Sequence, residues 1–119
     1  MKQIQAIDQV YKTGEGYKEL NINRTFYWAY THSQEAGSDQ INLDDVIWDD
    51  DVKEILDNCE RFDISEFTIS SNMSGIISTI AAFNENGWGP EGLTRVPSRY
   101  SNCFGNGPEM LHAVIIRKK

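Results

Sequence analysis

The chain has 119 residues, a formal net charge of −7 and 39% hydrophobic residues. This length suits one domain that buries a core without disulfide bonds, and the apolar content argues against a disordered chain. The negative charge disfavours direct binding of DNA or RNA, because nucleic-acid binding needs a basic surface.

The N-terminal sequence MKQIQAIDQVYK lacks the apolar segment of a signal peptide, and no apolar run reaches membrane-spanning length. Cys59 and Cys103 have no paired spacing, so we expect reduced thiols rather than a disulfide. These features predict a single cytoplasmic domain over residues 1–119 with no membrane partner.

The first half of the chain is predicted to be helical. Apolar residues recur at helical spacing over residues 3–12, and the sequence TGEG ends the pattern. A second helix is expected over 18–36, with Gly37 as its stop. The clearest helix covers residues 50–62. Its apolar stripe consists of Val52, Ile55, Leu56, Cys59 and Phe62.

The second half mixes strands with one helix. EFTIS is predicted to be a strand, followed by a helix in SNMSGIISTIAAFNENG that Ser71 or Asn72 caps and Gly87 ends. EGLTRV and MLHAVIIRK are expected to be strands, with PSRYSNCFGNGPE as a loop. Strand, helix and strand predict a βαβ unit with a right-handed crossover. The expected fold is a small α/β (or α+β) domain, in which about four helices cover about three strands.

The acidic residues are concentrated between residues 35 and 66, where twelve face only Lys53 and Arg61. Three explanations remain open. The carboxylates can form the solvated face of a helix whose first turn favours negative charge. They can imitate the phosphates of a nucleic acid and so occupy a basic groove. A metal site is the third, but the spacing lacks the EF-hand pattern.

Charge density limits the second explanation. A helix over residues 49–62 is about 21 Å long, and duplex DNA of that length carries about twelve charges. The segment holds six acids and two bases, so imitation of a duplex needs the neighbouring Asp39, Asp44 and Asp45 or a second copy of the chain.

An anion pocket is a further candidate at the end of EFTIS. If GLTRV lies parallel to that strand, its end brings two arginines to the same edge as three serines and the N-terminus of a helix. The residues are Ser70, Ser71, Ser74, Arg95 and Arg99. The turn matches no known phosphate-binding motif, and Ser or Asn there can be helix caps only.

Other residues give weaker signals. Trp28 and Trp48 can be core residues or exposed anchors for a partner. Cys103 and His112 could form a thiol–imidazole pair, but no orienting acid is evident, so we assign no catalytic residue. His32, His112 and the two cysteines have no zinc-binding spacing, and we expect no metal or cofactor.

The words FYWAY, DDVIW and EFTISSNMSGIISTIAAF resemble a family of small uncharacterised acidic proteins from anaerobic gut bacteria and their mobile elements. The resemblance spans about residues 20–96. It implies no catalytic or binding residue. It does imply a mobile-element setting, in which compact acidic proteins often disable CRISPR effectors or restriction enzymes.

The leading hypothesis is therefore a non-enzymatic acidic protein that inhibits or modulates a basic, nucleic-acid-handling protein. Trp28 or Trp48 would be its apolar anchor. The expected acidic surface is Asp44, Asp45, Asp49, Asp50, Asp51, Glu54, Asp57 and Glu60. The alternatives are a small-anion or nucleotide-binding module at residues 70–75, and a domain whose acidic helix is merely solvated. A homodimer is compatible with each.

Overall fold

The computed structural model describes residues 16–38, 40–44, 47–101 and 108–119. The predicted helix over 3–12 lies outside these residues. The described helices are α1 (Gly16–Glu19), α2 (Arg24–Glu35), α3 (Asp49–Arg61) and α4 (Ile76–Glu85). The described strands are β1 (Asn42–Leu43), β2 (Glu66–Ser70), β3 (Trp88–Ser101) and β4 (Pro108–Lys118).

The single helix predicted over 18–36 is two helices. Asn21 adopts a left-handed conformation with φ of 53°, which Asn tolerates better than most residues and which interrupts a helix. Asn23 then caps α2, because its side-chain oxygen accepts a hydrogen bond from Phe26 N at 3.1 Å. The prediction missed this interruption because the local sequence carries no Gly or Pro.

The two later helices lie close to the predicted ranges. α3 covers Asp49–Arg61, and its predicted stripe is buried except for Phe62, which is half-buried. α4 begins later than predicted, at Ile76, because Gly75 with φ of 71° precedes it. Neither Ser71 nor Asn72 caps it. Gly87, with φ of 88°, follows the C-cap Asn86, which confirms the predicted end.

The strands form one mixed sheet in the order β1-β2-β4-β3. β1 is parallel to β2, whereas β4 is antiparallel to both β2 and β3. β2 and β3 therefore run in the same direction, as predicted, but β4 lies between them. The predicted βαβ unit is therefore split: β2, α4 and β3 follow one another along the chain, and β4 pairs with both parallel strands. Part of the predicted loop, Pro97–Ser101, belongs to β3. The fold class, a small α/β domain, is confirmed.

One hydrophobic core joins the helices to the sheet. Phe26, Tyr27 and Tyr30 of α2 enter it together with Val52, Ile55 and Cys59 of α3. The sheet contributes Phe67, Ile69 and Ile116. Phe67 contacts the rings of Phe83 at 5.0 Å and Trp88 at 5.6 Å between centroids, so the sheet, α4 and the start of β3 meet there. Burial of these side chains fixes which face of each helix points to solvent.

Candidate functional site

Three carboxylates lie in a row on the outer face of α3. Because Val52, Ile55 and Cys59 are buried, the opposite side of the helix carries Asp50, Glu54 and Asp57, all exposed. At 1.5 Å and 100° per residue, the three residues span about 10.5 Å along the axis within a narrow sector. Within the described residues, no ion pair or hydrogen bond engages their side chains. We call Asp50, Glu54 and Asp57 the acidic surface.

Lys53 is the basic residue within this row. It is exposed and lies one turn from Asp50 and Asp57, so it offsets one of the three negative charges without an ion pair within 4 Å. The acidic surface therefore keeps a net negative charge.

Two other predicted acids have structural partners. Asp51 is half-buried, and its carboxylate accepts hydrogen bonds from Trp48 N at 3.3 Å and Asn23 Nδ2 at 3.0 Å. It caps α3 and ties the helix to the start of α2. Glu60 forms an ion pair with Lys118 Nζ at 2.8 Å, so its charge is offset by the last strand. We leave both outside the acidic surface.

Of the three remaining predicted acids, the structure describes the side chain of Asp44. Asp44 is half-buried and already interacts within the chain. Asp45 and the side chain of Asp49 lie outside the described part of the structure. Of the eight acids expected from the sequence, three are exposed carboxylates in this row, three are half-buried or paired within the fold, and two have side chains that the structure does not describe.

Trp48 stands at the start of α3 and exposes 72% of its surface. Its backbone is extended, with φ of −86° and ψ of 156°, so its side chain points away from that of the buried Ile47. Trp48 is the N-cap residue, two positions before Asp50. An exposed indole at the start of a helix whose outer face is net negative combines two features of protein interfaces, an aromatic anchor and a charged rim.

Trp28, the other predicted anchor, packs within the fold. It is half-buried and lies edge-on to Tyr27 at 5.0 Å and stacked on His32 at 5.4 Å. Its ring is therefore engaged on two sides, and Trp48 is the better candidate for an anchor.

The residues of the predicted anion pocket are only partly brought together. Ser70 and Thr94 both pair with Ala113, so Ser71 and Arg95 lie on either side of His112, about 10 Å apart across β4. Ser70 is fully buried and donates a hydrogen bond to Asn72 Oδ1 at 2.5 Å, whereas Ser71 and Ser74 are exposed. The side chain of Arg99 lies outside the described residues.

The groove beside Ser71 is apolar, and Arg95 lines a different cavity. The groove has a volume of about 260 Å³ and lies between α4 and the sheet. Its lining residues are Ile69, Ser71, Ile76, Ile80, Leu93, His112, Ala113 and Val114. Such a lining favours apolar contact over anion binding. The small-anion alternative stays a prediction.

The structure describes one of the two cysteines. Cys59 is fully buried, and burial, with a smaller effect of Glu60, raises the pKa of its thiol to about 12. Cys103 lies outside the described residues, so its pairing with His112 is not described. Among the described residues, no group of three His, Cys, Asp or Glu side chains could hold a metal ion. None of the described helices has the length and apolar character needed to cross a bilayer.

Among the described residues, three large apolar side chains are exposed although this was not predicted: Leu93, Ile77 and Met110. Leu93 of β3 exposes 81% of its surface, and Ile77 of α4 exposes 76%. The strand pattern GLTRV places Leu93 and Arg95 on the same side, but only the strand order shows that β3 is an outer strand.

A family model described as Domain of unknown function (DUF7698) matches residues 25–118. The chain belongs to this family, which confirms the expectation of an uncharacterised family. No match was found among curated proteins, and none was found among solved structures.

Proposed function

We propose that this member of the DUF7698 family is a non-enzymatic binding domain that docks on a basic protein surface. The acidic surface of α3 supplies the negative electrostatic potential that attracts the partner, and Trp48 supplies the apolar anchor. The observation that carries the proposal is the 72% exposed indole of Trp48 at the head of a helix whose exposed carboxylates, at Asp50, Glu54 and Asp57, make no ion pair in the described structure.

The two components have different physical effects. Charges at the rim of an interface speed the encounter and select a basic partner, but each adds little affinity. An aromatic side chain that enters a pocket on the partner supplies most of the energy. Solubility alone accounts for outward carboxylates. Solubility gives no role to Trp48, whose side chain is of a type that is enriched in interface hot spots.

The finer form of the proposal is that the partner handles nucleic acid and that docking inhibits or modulates it, as an anti-CRISPR or anti-restriction protein would. The three carboxylates span about 10.5 Å, and with one charge offset by Lys53 they carry about two net negative charges, whereas one DNA strand of that length carries about three phosphates. This density supports contact with part of a single-strand site rather than imitation of a duplex. The resemblance to mobile-element proteins supports the same setting, in the cytoplasm.

The experiment is affinity capture from a bacterial lysate, followed by measurement of binding to the purified captured protein. The chain is immobilised as wild type, as the triple variant D50N/E54Q/D57N, and as Trp48→Ala. Two variants serve as matched controls: Glu85→Gln neutralises one exposed acid at the end of α4, and Ile77→Ala truncates an exposed apolar residue on that helix.

The proposal predicts that wild type and both controls capture a basic, nucleic-acid-handling protein, and that the triple variant and Trp48→Ala lose it. Loss of nucleic-acid binding by that protein on addition of the wild-type chain would support the inhibitory form. Equal capture by the triple variant, or capture of acidic proteins only, would refute docking through α3.

A further inference from the structure

An outer strand of the sheet is exposed in a way that suggests a partner strand. β3 is one of the two terminal strands of the described sheet and lies next to β4 only, whereas β1 is the other terminal strand and has two residues. Pro90, Glu91, Gly92 and Arg95 are exposed, as is Leu93 at 81%. The backbone groups on the outer side of this strand therefore face solvent.

The pairing pattern shows which backbone groups these are. Ser71 N donates to His112 O at 2.8 Å and Lys118 N donates to Ser65 O at 3.4 Å, so even-numbered residues of β4 direct their backbone groups to β2. Odd-numbered residues of β4 then bond to β3, and Ala113 is paired with Thr94. Thr94 and Val96 consequently face β4, whereas Leu93 and Arg95 direct their N–H and C=O groups outward.

Two irregularities limit the part of the outer edge of β3 that can pair with another strand. Pro97, at the next outward position, has no N–H to donate. On the other side, a register shift between Pro90 and Gly92 makes a bulge at Glu91. Prolines and bulges commonly protect edge strands from indiscriminate pairing. Here they leave one short regular window, at Leu93–Arg95.

We propose that β3 pairs antiparallel with β3 of a second copy of this chain, around a two-fold axis at Thr94. In this register Leu93 of each copy lies opposite Arg95 of the other copy. Each of these two pairs exchanges two backbone hydrogen bonds, so four form in total. An axis at Leu93 would place Arg95 against the bulge, and an axis at Arg95 would oppose two like charges. The window therefore favours one register.

The side chains in this register are complementary to themselves. Thr94 meets the second copy's Thr94 directly, a favourable cross-strand pair. Leu93 packs along the aliphatic part of the opposing Arg95, which covers an exposed apolar residue beside the groove under α4. Glu91 comes within diagonal reach of that arginine, so the paired segments carry balanced charge although each chain carries −7.

The test is sedimentation equilibrium of the full chain over a wide concentration range. The expected result is a monomer–dimer equilibrium that strengthens when salt screens the repulsion between two chains of −7. Leu93→Pro removes the outward N–H but leaves the bonds to β4, as Pro97 does naturally. It should weaken the dimer about tenfold or more, because two of the four hydrogen bonds are lost. Ile77→Ala, on α4, should not weaken it.

Disulfide trapping defines the register. In a Cys103→Ser background, Thr94→Cys should cross-link under mild oxidation, because residues in such a pair have Cα atoms about 4.5 Å apart. Leu93→Cys should not cross-link, because position 93 of one copy lies diagonally across from position 93 of the other, at a distance of roughly 7–8 Å. A monomer at all concentrations, a dimer unchanged by Leu93→Pro, or cross-linking through Leu93→Cys instead would overturn the proposal. Pairing with a strand of a different protein would overturn it as well.

Discussion

α3 and α4 bury one face each in the same core but present opposite outer faces. Cys59 of α3 and Phe83 of α4 are both fully buried. Outward, α3 carries a row of charges, whereas α4 presents mainly small or apolar residues at Ile77, Ser78 and Ala81. The apolar stripes fix how both helices pack, and the outer faces remain available for other roles. The acidic face of α3 suits a partner of opposite charge, whereas α4 faces Leu93 of β3 across the groove through its half-buried residues Ile76 and Ile80.

The largest loss of stability should come from truncating a side chain in the core that α3 and α4 share. Phe83→Ala should lower the free energy of unfolding by about 3–5 kcal/mol, because the ring is fully buried against Phe67 and leaves a cavity. Ile77→Ala, six residues earlier on the same helix but exposed, should change it by less than about 0.5 kcal/mol. Urea denaturation measures both. Similar losses for the two variants would show that the inner and outer faces of α4 are wrongly assigned.

The second effect concerns the polar attachment of α3 to α2. The side-chain oxygen of Asn58 accepts a hydrogen bond from Asn23 N at 2.8 Å in a buried position. Asn58→Ala should cost about 1–3 kcal/mol, because it leaves that N–H without a partner. Asp57→Ala, the neighbouring exposed residue, is the control and should be nearly neutral. If Asn58→Ala proved neutral in the same denaturation assay, α3 would not depend on this bond.

The third effect is on the thiol of α3. Burial raises the pKa of Cys59 to about 12, from an ordinary value near 9. The folded state therefore holds the proton more tightly than the unfolded state. Its contribution to stability is complete below about pH 9 and is lost as the pH rises towards 12.

In a Cys103→Ser variant at pH 8, a thiol reagent should accordingly label no cysteine in the native protein and one after denaturation. The alkaline loss of stability should be smaller in Cys59→Ala than in this parent, as measured by unfolding at pH 8 and pH 10.5. Rapid native labelling would mean that α3 opens readily, and that its acidic face is not held rigidly.

Lys118→Gln should have the smallest effect on stability, but it tests directly whether α3 carries the binding surface. Lys118→Gln breaks the exposed ion pair with Glu60 and should cost less than about 1 kcal/mol, since both side chains are more than half exposed. It should also add Glu60 to the acidic surface and so tighten binding of the captured basic partner at low salt. Lys119→Gln is the control for loss of a nearby charge. An equal gain in both variants would point to net charge rather than to α3.

Several elements of the fold could be predicted because their signals are local. The apolar stripe from Val52 to Phe62 and the strand EFTIS are each predicted by the pattern of a short continuous segment, and both were confirmed. The interruption at Asn21 and the late start of α4 depend on single left-handed residues, Asn21 and Gly75, whose neighbours still show helical spacing. Periodicity alone does not detect them.

The position of β4 could not be predicted, because a chain order of strand, helix and strand does not show which strands pair. The same limitation hid the exposed edge at Leu93. Within the candidate site, the exposed face of α3 could be predicted from its apolar stripe. The engagement of Asp51 with Asn23 and of Glu60 with Lys118 joins residues far apart in sequence, so no local pattern reveals it.

The most direct test of the central claim is the affinity for the captured partner as a function of salt, for wild type and D50N/E54Q/D57N. The account predicts that the logarithm of the wild-type affinity falls steeply as salt rises, and that the triple variant binds weakly with a much shallower slope. Equal slopes and affinities for the two proteins would contradict it, and would leave the carboxylates of α3 with solvation as their only role.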